Sequence, residues 1–101
     1  MLYDSNGQLL TSAAVSIDAN SQTVFAVKAE CRTGYFLSAT AVDDLLVEAR
    51  HPGDSDWIDI ETAPLDLSAF DGNIEDFEIR FTAGNVSEIS NRAFTLSVSA
   101  L

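Results

Sequence analysis

The chain has 101 residues, 47% of them apolar, and sixteen acidic against five basic residues leave a net charge of −11. That length and apolar share argue for one packed domain and against disorder, and the acidity argues against both nucleic acid and anionic membranes as partners. No apolar run reaches the roughly 18–20 residues of a membrane helix. The lone Cys31 cannot close an internal disulfide, and MLYDSNGQLL lacks the basic and apolar regions of a signal peptide, which predicts folding in a reducing cytoplasm.

Leu2-Tyr3 opens as a short strand, and Asp4-Ser5-Asn6-Gly7 turns it, Asn-Gly being the preferred pair of a tight hairpin turn. Gln8 to Ile17 reads as a strand or an extended arm, because Leu10, Ala14 and Val15 break strict alternation. After the loop Asp18-Ala19-Asn20-Ser21, Thr23 to Glu30 predicts a strand with Phe25, Val27 and Ala29 on one face. Thr33-Gly34 turns into a strand over Tyr35 to Val42. Tyr35, Leu37, Ala39 and Ala41 face one way there, and Phe36, Ser38, Thr40 and Val42 the other.

Beyond Asp43-Asp44, Leu45 to Arg50 and Trp57 to Glu61 form a hairpin around His51-Pro52-Gly53-Asp54-Ser55-Asp56. Ile58 and Ile60 point inward, so Trp57, Asp59 and Glu61 lie off the core face. Thr62 to Phe70 is a crossing connection with Pro64 and a helical turn at Leu67–Phe70. The clearest element follows. Phe77, Ile79 and Phe81 alternate with Glu78, Arg80 and Thr82 between two turn-rich stretches, which predicts a half-buried strand near the centre of an antiparallel sheet. Gly84 to Asn91 is a polar loop, and Arg92 to Ala100 closes the chain with Phe94, Leu96, Val98 and Ala100 inward. Seven or eight short strands at this spacing read as a β-sandwich.

Few residues could carry chemistry. His51, the sole histidine, sits at a loop edge where a solvated turn residue is expected, and Cys31 reads as a small half-buried hydrophobe. Zinc needs three or four such ligands, so the expectation is no zinc, no cofactor and no catalytic residue. Calcium is the metal alternative, through the acidic loops Asp71-Gly72-Asn73-Ile74-Glu75-Asp76 and Asp54-Ser55-Asp56, although turns favour these residues in any case. Asp59 and Glu61 have the spacing of an acid–base pair and equally that of a solvated strand face. Trp57, opposite Ile58 and Ile60, packs within the subunit, meets a partner or stacks on a sugar.

Apolar surface that one pleated sheet cannot bury remains at Leu2, Tyr3, Leu9 and Leu10, at Phe36 and at Trp57. These residues are the predicted contact surfaces of a homo-oligomer or a larger assembly.

Phe77-Glu78-Ile79-Arg80-Phe81-Thr82-Ala83-Gly84-Asn85, followed by Phe94 to Val98, resembles the end of immunoglobulin-like domains of the fibronectin type III kind. There an aromatic and aliphatic strand carrying Arg leads into Ala-x-Asn, a polar loop and a last strand. The chain departs from that pattern with Phe77 in place of a tyrosine and one extra residue before the Asn. The resemblance implies fold alone: an all-β, single immunoglobulin-like antiparallel β-sandwich of about seven to eight strands over residues 1–101, with 1–15 an extended arm or edge strand.

The whole chain is also similar in type to small accessory proteins of tailed bacteriophages, being short, acidic, lysine-poor and rich in Ala, Ser and Thr. That resemblance implies a non-enzymatic structural virion protein, a capsid decoration or cement protein, made in the host cytoplasm and carried in the virion. Its partner would be the major capsid protein or another virion protein. The alternative is a carbohydrate-binding or adhesion β-sandwich module.

Overall fold

Alternation becomes strand wherever one face can be buried. The computed structural model describes residues 1–10, 12–41, 44–84 and 91–100, of 12–16 and 91–93 the backbone only. Val42, Asp43 and most of the polar loop expected after Gly84 lie outside the described residues. Among those described, nine strands form: β1 (Leu2–Asp4), β2 (Ser12–Ser16), β3 (Gln22–Glu30), β4 (Tyr35–Ala41), β5 (Leu45–Arg50), β6 (Ile58–Asp59), β7 (Leu65–Asp66), β8 (Ile74–Ala83) and β9 (Asn91–Ala100). A 3-10 turn at Ser68–Phe70 falls in the connection expected to hold a helical turn.

The strands pair antiparallel into a five-stranded sheet, β1-β3-β8-β5-β6, and a four-stranded sheet, β2-β9-β4-β7. One apolar cluster joins the two sheets, so the fold is the expected all-β sandwich. Its connectivity follows from a single long hairpin. β5 pairs with β6 at the tip, and outward from there β4 pairs with β7, β3 with β8 and β2 with β9. Alternate rungs fall in alternate sheets, which close laterally where β8 meets β5 and β9 meets β4. This is the jelly-roll order, two antiparallel sheets built from one wound hairpin.

An immunoglobulin-like connection would set β8 and β9 side by side in one sheet. They lie in opposite sheets, because both edges of β8 are taken by β3 and β5. The resemblance of the last quarter is therefore one of strand, loop and strand.

β8 occupies the middle of its sheet, as its pattern predicts, and Phe77, Ile79 and Phe81 are at most 1% exposed. Phe81 ties the layers together, its ring centroid 5.3 Å from Phe25 on β3 and 4.5 Å from Phe94 on β9. Leu96 is buried and Val98 half-buried against the same core. Ala100, expected inward, is exposed, because it ends β9 opposite Tyr35, the first residue of β4.

The N-terminal residues do not form an arm. Asp4 Oδ1 accepts the N–H groups of Asn6 at 2.9 Å and Gln8 at 3.0 Å, and Gly7 takes φ +81° to complete the turn. Leu9 returns to bridge Tyr3. β1 then pairs with β3 and β2 with β9, so both lie at sheet edges of their own sandwich.

Candidate functional site

The outer face of the five-stranded sheet is governed by two short triplets, Glu48-Ala49-Arg50 on β5 and Glu78-Ile79-Arg80 on β8. Antiparallel register sets Glu48 opposite Arg80 and Arg50 opposite Glu78, where opposite charges attract. Arg80 Nε donates to Glu48 Oε1 at 2.9 Å, and Arg50 Nε donates to Glu78 Oε1 at 3.0 Å. Trp57 completes the cluster. The Arg50 guanidinium lies 4.2 Å and the Arg80 guanidinium 4.5 Å from its ring, within reach of cation–π attraction. Of the three roles open to Trp57, packing within the subunit is therefore filled. On the same sheet Lys28 Nζ donates to Asp76 Oδ1 at 2.6 Å.

Other carboxylates close turns. Asp71 Oδ1 accepts the Thr33 N–H at 3.0 Å and Asp66 Oδ1 the Ser68 N–H at 2.9 Å. The hydroxyl and N–H of Ser68 hold the Asp66 carboxyl below its ordinary range. Asp59 Oδ1 accepts the Glu61 N–H at 3.1 Å, and β6 ends at Asp59, so these two do not share a strand face. Partial burial pushes the Glu61 carboxyl up, the Asp59 charge adds to it, and hydrogen bonds from the Ala41 and Val47 backbone work against both. Glu61 lines a cavity of about 340 Å³ with Asp44, Leu46 and Thr82. Gly84 forms part of its wall, and a Cβ there would push the end of the Asp44 side chain aside. Among the described residues no three His, Cys, Asp or Glu side chains converge as metal ligands would.

His51 corrects the expectation of a solvated turn residue. Its ring stacks on Phe70 at 4.8 Å, meets the edge of Phe77 at 5.6 Å, and brings Nε2 to 3.7 Å from Glu75. Nothing near it in the sequence forecasts that contact, which joins the β5–β6 loop to the 3-10 turn. Cys31 is fully buried just beyond β3, its thiol donating to the Ala29 carbonyl at 3.4 Å. Burial pushes that thiol up, away from a nucleophile's range.

The predicted contact residues do not share one surface. Leu2 is in the core at 3% exposure, because pairing with Ala29 on β3 turns it inward. Leu9, 54% exposed, and the half-buried Leu10 meet Met1 and the Thr95–Val98 stretch of β9 around a groove of about 330 Å³. Tyr3 is half-buried on β1 opposite Lys28. Phe36 is half-buried on β4 opposite Ser99, and Trp57 belongs to the face of the other sheet. The part played by β9 in the groove was missed at the sequence level; its signal is the lapse of alternation at Leu9-Leu10.

No protein-family model, curated protein or solved structure matches the chain. Function must be argued from the site itself. The paired charges rigidify a sheet face, and the groove offers apolar contact beside open backbone. Among the described residues no helix is long and apolar enough to cross a membrane.

Proposed function

We propose that the protein is a non-enzymatic structural virion component, a small decoration or cement protein that binds and stabilises an assembled phage capsid. The observation that carries this reading is the division of labour on the surface. Glu48, Glu78 and Asp76 pair with cations across strands and Asp66 and Asp71 close turns, while Met1, Leu9, Val24, Leu46 and Ile74 stand exposed. Such a surface works by burial against another surface, and a charge of −11 opposes indiscriminate association of free copies. The jelly roll serves viral capsid proteins and lectins alike, so topology is compatible with this reading and does not select it. The carbohydrate-binding alternative would need a free aromatic platform, and the ring of Trp57 is engaged by two guanidiniums.

Sedimentation tests the reading. Purified protein mixed with isolated tailed-phage heads should pellet with them at a fixed ratio to coat subunits, and a glycan panel should retain none. Retention by a glycan without co-sedimentation would replace the capsid reading with the carbohydrate-binding one.

A further inference from the structure

β9 is half covered. β2 lies along one edge from Asn91 to Thr95, and β4 lies along the other from Phe94 to Ala100. Over Leu96–Ala100, among the described residues, no strand faces the edge away from β4. Unpaired N–H and C=O groups on a sheet edge are a template for another strand, and folded proteins blunt such edges with charge, proline or a bulge. Leu96-Ser97-Val98-Ser99-Ala100 carries neither charge nor proline. Beside it runs the groove, with Met1 57% and Leu9 54% exposed at its rim.

We propose that this edge is where a second copy of the chain docks, two β9 strands pairing antiparallel over Ser97–Ala100 about a two-fold axis, with Met1 and Leu9 covered at the seam. An antiparallel edge is complementary to itself under a two-fold, which satisfies both copies with one patch. Charge selects the same place. Two molecules of −11 each meet most easily where carboxylates are absent or neutralised. The groove lining, from Met1 through Leu10 to Val98, contains none, and Glu30 at its Met1 end is paired with the Met1 amine at 3.6 Å. The open backbone and the apolar groove are continuous, so hydrogen bonding along the strand and burial of side chains occur together. The open stretch is short, which makes the association reversible and dependent on concentration.

The inference does not rest on what the assembly decorates, and particle binding is not part of its test. Sedimentation velocity on the purified protein should show a monomer–dimer equilibrium that strengthens with added salt, because salt screens the repulsion between acidic copies. Amide exchange at Ser97–Ala100 should slow as concentration rises. Leu9→Lys and Ala100→Pro, both at exposed positions, should each weaken the dimer by about tenfold or more while the fold's circular dichroism is unchanged. Ile74→Lys, at a position 60% exposed outside the groove, should leave the dimer intact. A monomer at every concentration and salt overturns the proposal and leaves the edge to a strand from another protein. A dimer indifferent to both groove variants, or dissolved equally by Ile74→Lys, overturns it as well.

Discussion

β8 and β9 are each ten residues long and each alternates apolar with polar side chains, yet the fold uses them differently. β3 covers β8 from Ile74 to Thr82 and β5 covers it from Glu78 to Ala83, so both edges are paired over Glu78–Thr82. β9 has described neighbours on both edges only at Phe94 and Thr95. The outer face of β8 is locked by Glu78 and Arg80 in cross-strand ion pairs, whereas that of β9 carries Thr95, Ser97 and Ser99, with Ser97 Oγ 2.8 Å from Ser38 Oγ. The same pattern yields a strand that holds the fold together and a strand that presents an edge. What separates them is their place in the wound hairpin.

Paired truncations would break that comparison most forcefully. Ile79→Ala removes a fully buried side chain between two layers and should cost about 2–4 kcal/mol, counting lost burial and the cavity left behind. Val98→Ala on the half-buried stretch of β9 should cost about 1 kcal/mol. Urea denaturation with an unchanged slope reads both. Equal losses would mean that the two strands contribute alike, contrary to their burial.

The polar face of β8 gives the next effect. Arg80→Met strands the Glu48 carboxylate, whose side chain is 14% exposed, and removes one of the two cations at Trp57. A cost of about 1–3 kcal/mol is expected, because the loss of one partner leaves a desolvated charge behind. Adding Glu48→Gln to the same chain should restore much of it, since no orphan charge then remains. Trp57 is the only tryptophan, so native fluorescence reports on this cluster directly. If Arg80→Met changes neither fluorescence nor stability, the cluster is surface decoration and β8 owes its role to its inner face alone.

How much of this was legible in the sequence differs by scale. Strands were readable wherever alternation was strict: β5 spans Leu45–Arg50 as its residues predict, and β8 lies at the centre of its sheet. The ion-pair cluster was also written there as two Glu-x-Arg triplets, which interlock once two strands run antiparallel. Connectivity was not legible, because periodicity tells which face of a strand is buried and nothing of which strand lies beside it. The immunoglobulin-like order failed for that reason, whereas of the two readings of residues 1–15 the structure has the edge strand and not the arm. His51 escaped as well, since its contacts with Phe70 and Phe77 span residues that no local rule joins.

The smallest effect concerns the far end of β8, where Glu61 shares a cavity with Thr82 and Ala83. Burial, and after it the charge of Asp59, raises the folded-state pKa of Glu61 above its ordinary value. Between the ordinary and the raised value, the folded chain binds more protons than the unfolded one. Stability therefore falls as pH rises through that window, and the full penalty stands at neutral pH. Glu61→Gln removes the titration and keeps the shape, so it should melt slightly higher than the parent at neutral pH. The two should converge once pH drops below the ordinary carboxylate range, where Glu61 is neutral in both states. Glu61 is exposed as a whole residue, and solvent screening keeps the gain within about 0.5 kcal/mol. The opposing effect is the pair of hydrogen bonds from the Ala41 and Val47 backbone, which favour the ionised carboxylate. Melting temperatures of both chains across acid and neutral pH decide between them. A Gln variant that melts lower at neutral pH would show that those hydrogen bonds outweigh burial, and that this end of β8 is held as firmly as its middle.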